Sequence, residues 1–391
     1  MILEGLTLAA LAGSAALWSA ILLRLRQIRH AEPYLDSTSP LAAAAEPEPP
    51  LVSILVPARN EERDLAPCLR ALRAQNYPRT EILLVDDQST DRTAAIAREE
   101  LAGAPGARVL AGQPRPSEGW TGKSWALTQA VGAARGEYLL FSDADIVHHP
   151  RALAQAMAEL RALELDAISI MPAIDCQSRW EKIVMPLFAL LAGLMEPLDK
   201  ANRPGVRDCR LSGAFILIRR AAYAAVGGHE SVRSEILEDM ALARRLKEAG
   251  RPLRLIYTHD LSRTRMYDRL RDAWQGLTRV AYPMLKYSPV LLLAAWGASL
   301  LGTVVPWLAL AGGGVGALLG WPGAAAAAVA GAVLIAVQPW ILAPCFRMLR
   351  IKRGWALFLP VAALLMCLAA AWSAWRHHTG QGLAWKDRVY R

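Results

Sequence analysis

The sequence has few cysteines, and their arrangement does not favour a zinc site or a disulfide framework. The chain of 391 residues has five, which are scattered and form no Cys-x-x-Cys pair. Zinc sites and disulfide-stabilised folds need paired or regularly spaced cysteines, so both are disfavoured. This usage is typical of a reducing compartment. The cysteines are Cys68, Cys176, Cys209, Cys345 and Cys367.

The chain also lacks a basic helix and any array of interleaved basic and aromatic residues, although its formal net charge is +9. Nucleic acid is therefore not an expected partner. Basic residues such as Arg347, Arg350, Lys352 and Arg353 lie beside apolar segments instead. There they either fix membrane topology or hold the protein against anionic headgroups. No internal repeat is present.

Apolar residues are abundant: 54% of the chain is hydrophobic and the mean hydropathy is +0.22. Residues 1–30 are predicted to form a transmembrane anchor, because residues 1–23 are apolar except for Glu4. No basic region precedes this segment and no small-residue cleavage site follows it, so a cleaved signal is not expected. Three arginines come directly after it and predict that the bulk of the chain faces the cytoplasm, at the inner (plasma) membrane. They are Arg24, Arg26 and Arg29.

Residues 288–376 are predicted to form a C-terminal membrane region, followed by a basic tail at residues 377–391. Counting the passes exposes a conflict, because an odd number of spans after a cytoplasmic domain would place the basic tail outside. Either the charge rule fails here, or one segment is re-entrant, such as the last one, which contains Pro360. The candidate spans are residues 288–310, 318–346 and 355–375.

Between these regions, a linker rich in Ala, Pro and Glu (residues 31–50) is predicted to be a tether. Residues 51–287 alternate short apolar runs with helical stretches, which predicts an α/β domain with a mostly parallel sheet. Residues 185–198 are too short to span, and form either a core helix or an amphipathic element in the membrane interface. Predicted strands are residues 51–56, 82–85, 108–111, 138–142, 167–171, 213–218 and 253–257. Predicted helices are residues 65–75, 123–134, 151–163, 237–248 and one ending at 100 whose N-cap chemistry comes from Ser89, Thr90 and Asp91.

An acidic triplet, Asp143-Ala144-Asp145, follows the apolar run at residues 138–142. A buried strand that ends in two carboxylates places both at the carboxyl edge of its sheet, where open α/β folds bind ligands. Two carboxylates there can hold a divalent cation, and a magnesium ion would take phosphates as further ligands. The triplet therefore predicts a metal and phosphate site.

Three further acidic groups flank the triplet. Glu61 follows the first strand, Asp86 and Asp87 follow the second, and Glu238 and Asp239 precede a helix. Each alone has a structural explanation, as a turn residue or as a charge that favours a helix N-terminus. Four such groups crowded together would repel one another unless a cation or a donor-rich ligand joins them. Their combination predicts a binding site.

Several runs in residues 51–287 resemble the inverting family 2 glycosyltransferases, which have a GT-A nucleotide-binding fold. They are VSILVPARNEE, ILLVDDQSTDRT, YLLFSDAD and ILEDMALARRL. Other runs are similar to the membrane-bound subgroup that glycosylates carotenoid or hopanoid lipids. These are GQPRPSEGWTGKSWAL, GAFILIRRAAYAAVGGHE, RTRMYD and GLAWKDRVY.

The resemblance implies positions for the nucleotide part of the donor. Pro57, Arg59 and Glu61 would border the nucleotide, and Asp86 or Asp87 would contact the uracil or the ribose. Family members with lipid or polymer acceptors often carry a Gln-x-x-Arg-Trp motif. This chain has a related run with no Trp, so stacking on the acceptor or diphosphate at that point is in doubt; the run's candidate binding residues are Gln275 and Arg279.

For the chemistry, the resemblance implies that Lys123 lies near the donor phosphates. Asp143 would contact the ribose and the metal, and Asp145 would ligate Mg²⁺ or Mn²⁺. Asp239 would be the base that deprotonates the acceptor, with Glu238 beside it at the substrate site and at the helix start. One displacement then inverts the anomeric carbon, and no second nucleophile is needed.

The leading hypothesis is a multi-pass membrane enzyme that moves a sugar from a nucleotide donor, such as a UDP-hexose, to a lipid acceptor. An alternative is a processive polysaccharide synthase of the cellulose or hyaluronan type, but those enzymes need more spans and a complete Gln-x-x-Arg-Trp motif. A third hypothesis is a non-catalytic membrane scaffold that keeps only the nucleotide-binding fold. The presence of both Asp145 and Asp239 disfavours it.

Overall fold

The computed structural model describes residues 2–29, 34–40, 48–116, 119–195, 202, 210–267, 269–379, 383–385 and 388–390. The chain divides into two compact units. The sheet unit comprises Ala31–Ile174 and Pro197–Arg265. The helical unit comprises Met1–His30, Asp175–Glu196 and Met266–Arg391.

The sheet unit is built from strands with helices on both faces, as expected for an α/β fold. Its strands are β1 (Val52–Ala58), β2 (Thr80–Asp86), β3 (Arg108–Ala111), β4 (Tyr138–Phe141), β5 (Ile146–His148), β6 (Ala167–Met171), β7 (Ala173–Ile174), β8 (Ile216–Arg219), β9 (Leu253–Tyr257) and β10 (Ser262–Thr264). Its helices are α2 (Leu65–Arg73), α3 (Thr93–Leu101), α4 (Gly122–Ala133), α5 (Ala152–Ala162), α7 (Arg220–Ala225) and α8 (Glu238–Glu248), with a 3₁₀ turn at Gly228–Val232.

Seven strands form one mixed, mostly parallel sheet in the order β3-β2-β1-β4-β8-β6-β9. Strands β1 to β4 are parallel to one another, and β8 runs antiparallel to both β4 and β6. The chain moves outward from β1 through β2 to β3 and then returns to the other side of β1 as β4. This reversal of strand order is a topological switch point, where α/β sheets bind ligands beyond their carboxyl ends.

Both faces of the sheet are buried, which explains the continuous apolar runs of its strands. Ile54, Val56 and Leu84 face one core, against α2, α3 and α5. Leu55 and Phe141 face the other core, against α4, α7 and α8. The two cores fix the register of β1 and β4, and this register determines which residues reach the carboxyl edge.

The predictions for β3, β6 and β9 are confirmed to the residue. Two local predictions are wrong. Strand β1 does not end before Pro57, which pairs with Val85 inside the strand, as proline is tolerated near a strand end. Helix α3 begins at Thr93, so the residue before it, Arg92, and not Asp91, is the N-cap. The Asp91 carboxylate still accepts the Thr93 N–H, at 2.9 Å.

A second, three-stranded sheet in the order β5-β10-β7 was not predicted. Its strands are two or three residues long, too short to show an alternating pattern. His148, in β5, is buried and lies within hydrogen-bond distance of Ser142 Oγ (2.9 Å) and Ser262 Oγ (3.1 Å). Because Ser142 and His148 flank the acidic triplet, their hydrogen bond closes the loop that carries it.

Residues 34–40, part of the predicted tether, are fixed to the sheet unit. The Leu35 N–H donates to the Tyr257 carbonyl at 3.0 Å. The Arg151 guanidinium donates to the carbonyl oxygens of Ser37 (2.6 Å) and Ser39 (3.2 Å). The amino-acid composition of residues 34–40 did not indicate that they are fixed, because their backbone groups make these hydrogen bonds. Residues 41–47 of the predicted tether lie outside the described residues.

The helical unit contains the apolar segments. Of the helices in the described part of the chain, three are long and apolar enough to cross a membrane, at Glu4–Gln27, Ala324–Ile341 and Arg353–His378, and a bent pair would make a fourth. Its elements are α1 (Ile2–Arg29), α6 (Arg179–Met195), α9 (Leu270–Met284), α10 (Pro289–Thr303), α11 (Val305–Leu318), α12 (Ala324–Ile341), α13 (Ala343–Met348), a 3₁₀ turn at Arg353–Phe358, α14 (Leu359–His378), β11 (Leu383–Trp385) and β12 (Arg388–Tyr390).

The first predicted C-terminal span, residues 288–310, is not one straight helix in the structure. Helices α10 and α11 meet there at a bend of 42°. Pro306 has no N–H to give to the Gly302 carbonyl four residues earlier, so the helical ladder breaks. The Gly302 oxygen instead accepts Trp18 Nε1–H at 2.9 Å and Gln338 Nε2–H at 3.2 Å.

The other helical predictions have different outcomes. Pro360 does not interrupt the last candidate span, because it lies in the first turn of α14. The second candidate, residues 318–346, is divided between the end of α11, α12 and α13. Val184 and Leu187 of α6 are buried in an apolar cluster that also contains Trp18, which favours the core-helix interpretation of residues 185–195. Residues 196–198 of that segment, with Pro197, lie outside the described residues, as does Cys209.

Candidate active site

Three of the acidic residues predicted from the sequence, Asp143, Glu238 and Asp239, meet around Lys123 at the carboxyl edge of the main sheet. Asp143 directly follows Ser142 at the end of β4, and Glu238 and Asp239 begin α8. Lys123 comes from the first turn of α4, where the Thr121 side chain caps the helix by accepting the Ser124 N–H. These segments come from distant parts of the chain, and the sheet order brings them together.

Lys123 is the centre of this cluster. Its Nζ lies 2.6 Å from Asp143 Oδ1 and 2.8 Å from Glu238 Oε1, and its side chain is 21% exposed. Burial alone would lower the pKa of Lys123, but the carboxylates of Asp143, Glu238 and Asp239 outweigh it and hold the pKa well above its usual value. Lys123 is therefore a fixed positive charge among three carboxylates.

Asp239 is held by the backbone and not by Lys123. Its Oδ2 accepts the Gly213 N–H at 2.9 Å, and its Oδ1 accepts its neighbour's N–H, from Met240, at 2.8 Å. These two bonds fix the direction of the carboxylate. Glu238 beside it is buried, and burial raises its pKa, although Lys123 opposes that rise. The adjacent carboxylates thus have different surroundings, one anchored by amides and the other paired with an ammonium.

Gly213 is a site residue that sequence reasoning did not single out. A Cβ at this position would lie 2.7 Å from Lys123 Nζ and 3.5 Å from Asp239 Oδ2. No side chain fits there unless Lys123 moves. The sequence run that begins Gly213-Ala-Phe contains this glycine. One sequence does not show, however, that Gly213 lies beside Lys123, which is 90 positions earlier in the chain.

The two loops after β1 and β2 support the other side of this edge. Arg59 donates to the Asp87 carbonyl at 2.6 Å and to the Gln88 carbonyl at 3.1 Å. The Asn60 side chain accepts the Thr90 N–H at 2.9 Å. These bonds join the Pro57–Glu61 loop to the Asp86–Asp91 loop and set their shape.

The structure distinguishes the paired aspartates after β2. Asp86 Oδ1 accepts the Ser89 N–H at 3.1 Å, so this carboxylate closes its own turn. Asp87 is buried, and its backbone N–H donates to the Ala58 carbonyl. Asp145 is exposed, in the loop after the strand that carries Asp143. The remaining predicted residues, Gln275 and Arg279, lie on α9 in the helical unit.

The charges in this cluster do not balance. Lys123 supplies one positive charge against the carboxylates of Asp143, Glu238 and Asp239. Among the residues that the structure describes, no group of three His, Cys, Asp or Glu side chains makes a complete metal site. A magnesium-type ion needs only one or two carboxylates when phosphates supply the rest of its ligands. The pair Asp143 and Asp145 fits that requirement, and the surplus of negative charge favours a cation.

Part of the chain is similar to known proteins. Residues 53–227 match the family model described as "Glycosyl transferase family 2". The chain is 27% identical over 222 residues to 4,4'-diaponeurosporenoate glycosyltransferase of Staphylococcus haemolyticus (strain JCSC1435), covering 56% of this chain and 57% of that protein. The protein of the same name from Staphylococcus aureus (strain MRSA252) is 26% identical over 229 residues, covering 57% and 59%. The chain thus spans less than two thirds of the length of these curated relatives.

The fold has a counterpart among solved structures. Mannosyltransferase PcManGT from Pyrobaculum calidifontis, in complex with GDP-Man and Mn²⁺, is 20% identical with a TM-score of 0.52. The match covers 93% of this chain and 99% of that one. This likeness shows the fold, which is GT-A, as the sequence resemblance implied.

Proposed function

We propose that this chain, in which residues 53–227 form a glycosyl transferase family 2 domain, moves one sugar from a nucleotide-sugar donor to a membrane lipid. The observation that carries the proposal is the Lys123 cluster: a fixed ammonium among three carboxylates at the switch point of the sheet. Such a site suits a diphosphate that arrives with a cation. The candidate spans and the relatives named for a carotenoid acceptor support a lipid as the acceptor.

The donor is proposed to be a UDP-hexose, bound along the carboxyl edge. Arg59 and the Asp86–Asp91 loop shape the nucleotide end, with Asp87 as the better candidate for the base or ribose because Asp86 already closes a turn. Asp143 and Asp145 would hold Mg²⁺ or Mn²⁺, which when bound supplies positive charge to the leaving diphosphate. Lys123 supplies a second positive charge that the protein itself fixes in place.

Asp239 is the proposed general base. The Gly213 and Met240 amides orient its carboxylate, which takes the proton of the acceptor hydroxyl as that oxygen attacks the anomeric carbon. The attack comes from the face opposite the diphosphate, so one displacement inverts the configuration. Glu238 holds Lys123 in position and does not need to exchange a proton.

The proposal includes a topology. The arginines at the carboxyl end of α1, Arg24, Arg26 and Arg29, favour a cytoplasmic sheet unit in a multi-pass protein of the plasma membrane. Protease digestion of right-side-out vesicles measures this directly: the sheet unit should be protected, and its cleavage from outside would contradict the orientation.

The central test uses purified full-length protein in detergent, radiolabelled UDP-glucose with Mn²⁺, and a membrane lipid extract. A labelled lipid should appear, and calorimetric titration should show UDP binding that depends on the metal. In Asp145→Ala the metal-dependent part of this binding should be lost while the protein still folds, because removing a like charge relieves repulsion.

Glu137→Ala is the matched control, because Glu137 is exposed at the amino end of the same strand that leads to Asp145. It should bind UDP and Mn²⁺ as the wild type does. Unchanged metal-dependent affinity in Asp145→Ala would contradict the metal role. Absence of any labelled lipid with UDP-, GDP- or other nucleotide sugars would contradict the function itself.

A further inference from the structure

A buried histidine lies close to the acidic triplet in the chain. His148 is 3% exposed and ends β5, three residues after Asp145. Burial alternates from Ala144 to His148, so these two side chains are buried while Asp145 between them is exposed. Buried polar groups are almost always hydrogen-bonded, so the contacts of the imidazole should explain why a histidine occupies this position.

The two ring nitrogens of His148 join the end of β4 to the second sheet. Nε2 lies 2.9 Å from Ser142 Oγ, and Nδ1 lies 3.1 Å from Ser262 Oγ. The Ser142 hydroxyl in turn donates to the Asp143 carbonyl at 3.2 Å. Both serines are as buried as the ring between them. A buried chain of hydrogen bonds therefore ends at the backbone oxygen of Asp143.

The two hydroxyl groups decide which nitrogen of His148 carries the proton. With the proton on Nε2, the ring donates to Ser142, Ser142 donates to the Asp143 carbonyl, and Ser262 donates to Nδ1. Each of these three hydrogens then has an acceptor. With the proton on Nδ1, the Ser262 hydroxyl hydrogen has no acceptor within the described part of the chain. Only the Nε2–H tautomer therefore satisfies the whole chain of hydrogen bonds.

The surroundings of His148 keep its ring neutral and in place. Burial lowers the pKa of His148 to about 4, and the Asp143 carboxylate opposes this only in part. At neutral pH the ring therefore has one donor and one acceptor, as the chain of hydrogen bonds requires. The Phe215 ring packs edge to face against it, with the centroids 5.3 Å apart.

The hydrogen bonds converge on one peptide group, between Asp143 and Ala144. Besides Ser142, the thiol of Cys68 on α2 donates to the Asp143 carbonyl, at 3.5 Å. Because a peptide group is planar, two donors on its oxygen restrict the backbone torsions on either side of it. Those torsions determine where the Asp143 carboxylate points and how the chain continues to Asp145.

We propose that His148 is the positioning residue of the metal loop (residues 143–145), an inference that rests on the proposed function. Its Nε2–H acts through Ser142 and holds the peptide after Asp143 so that both carboxylates of the loop reach one cation. His148 is not itself a ligand. Groups that orient metal ligands in this way typically change metal affinity about 10–100-fold when they are removed.

The first test separates the hydrogen bonds of His148 from its shape. His148→Phe keeps a ring beside Phe215 and removes both bonds, whereas His148→Gln offers an amide donor and a carbonyl acceptor. UDP is titrated calorimetrically into the full-length protein in detergent, with and without Mn²⁺. Metal-dependent affinity should fall at least tenfold in His148→Phe and be largely restored in His148→Gln. UDP affinity without the metal should be unchanged in both.

His149→Phe is the matched control, because it changes a neighbouring histidine whose Nδ1 accepts the Arg151 N–H at 3.2 Å. It should bind UDP and Mn²⁺ as the wild type does. Ser142→Ala covers the case in which His148→Phe fails to fold, as judged by its melting temperature. This smaller change removes the link between the ring and the Asp143 carbonyl, and metal-dependent affinity should again fall about tenfold.

A measurement on the free protein tests the chain of hydrogen bonds directly. The sequence contains seven histidines, and in a ring-¹⁵N NMR spectrum the signal that His148→Gln removes is that of His148. This signal should show the Nε2–H tautomer at pH 7. Addition of Mg²⁺ in the presence of UDP should shift it in the wild type and leave it unshifted in Asp145→Ala. An Nδ1–H tautomer would overturn the inference.

The outcomes separate this inference from the proposed function. If the wild type binds UDP more tightly with metal, equal metal-dependent affinity in His148→Phe and Ser142→Ala overturns the role of His148 alone. An equal loss with and without metal also overturns it, because the histidine then only stabilises the fold. If the wild type transfers no sugar to lipid but His148→Phe loses metal-dependent binding, the proposed function fails and this inference stands. A wild type whose UDP binding ignores the metal refutes both.

Discussion

Two buried ionic clusters lie at opposite ends of the same sheet. At the amino end, Glu81 is 1% exposed and accepts Ser53 Oγ–H at 2.7 Å and the Arg135 N–H at 2.6 Å, with the Arg135 and Arg108 guanidinium groups at 3.1 and 3.5 Å. At the carboxyl end, Lys123 lies among three carboxylates. The first cluster has donors enough for its one carboxylate, and the second has an excess of negative charge.

The two clusters differ in how the protein itself balances the buried charge. Burial alone would raise the pKa of Glu81, but Ser53 and Arg135 outweigh it and lower the pKa, so the group is satisfied without a ligand. At the other end, burial raises the pKa of Glu238. A surplus of carboxylates is a cost in the free protein that a bound cation removes. This contrast supports the proposal that the amino-end cluster stabilises the fold and that the carboxyl-end cluster binds a ligand.

The largest expected effect is at the carboxyl end. Asp239→Asn should lower kcat by about 10²–10⁴-fold, the usual contribution of a general base. Donor affinity should barely change, because the base contacts the acceptor. Radiolabelled transfer to lipid measures the rate and calorimetry the affinity.

Glu238→Gln is the matched comparison for that variant, and its effect should be milder because Glu238 supports Lys123 and the helix start. Wild-type turnover in Asp239→Asn would remove the base from the mechanism. It would favour an acceptor that is already ionised, such as a carboxylate.

At the amino end, Glu81→Ala should lower the free energy of unfolding by about 3 kcal/mol, because the buried Ser53 hydroxyl and Arg135 N–H each lose their acceptor. UDP binding of the folded fraction should be unchanged. Thermal melts of the full-length protein with and without UDP measure both quantities. Glu99→Ala, at an exposed carboxylate, is the control. A fall in UDP affinity larger than the fall in stability would break the proposed division between the two ends.

Gly213→Ala tests how tightly the carboxyl end is packed. The added methyl group would meet Lys123 Nζ at 2.7 Å, so the ammonium must shift away from its carboxylates. We expect kcat to fall about tenfold through misplacement of a charged group, with little change in melting temperature. Gly132→Ala, where a Cβ meets nothing within 4 Å, is the control. Equal kcat in both variants would show that Lys123 tolerates displacement.

A further expected effect is on acid stability. Burial lowers the pKa of His229 to about 3, and Lys123 acts in the same direction. Because the folded pKa lies below the unfolded value of about 6.5, stability is fully present above pH 6.5 and is lost as the pH falls toward the folded pKa. This residue should cost about 2 kcal/mol between pH 7 and pH 5. Melts of wild type and His229→Gln measure it: the variant should show a flatter profile, and identical profiles would contradict the assignment.

Much of the fold can be predicted from local patterns, whereas the contacts of the site cannot. Apolar runs of four to six residues predicted β1, β2 and β4, and the strand ends then predicted where the acidic groups lie. Lys123 and Glu238 are 115 residues apart, and their pairing depends on the sheet order, which one sequence does not reveal. In the structure Asp143, Glu238 and Asp239 lie together at the predicted edge, but no local pattern indicated that Lys123 pairs with two of them or that Gly213 leaves room for Lys123.

In the helical unit, two prolines at the same helical position have different surroundings. Pro306 and Pro360 are each the second residue of a helix, where a missing N–H is tolerated. Helix α10 ends at Thr303, just before α11, so the chain bends at Pro306 between two apolar helices. A 3₁₀ turn precedes α14, so Pro360 interrupts no helix. At the bend, the Gly302 carbonyl has no helical donor, because Pro306 has no N–H. It accepts the side-chain N–H groups of Trp18 and Gln338 instead.

The Gly302 carbonyl also sets an order of events during synthesis. Its partner Trp18 is made 284 residues earlier. At about 5–20 residues per second, that interval is roughly 15–60 s. Throughout it, the first helix carries an indole N–H whose acceptor does not yet exist. The Gln338 amide, the second donor, is made later still. The N-terminal helix therefore reaches these partners only near the end of translation, and a ribosome stalled before residue 302 would hold a chain whose Trp18 N–H still lacks its acceptor.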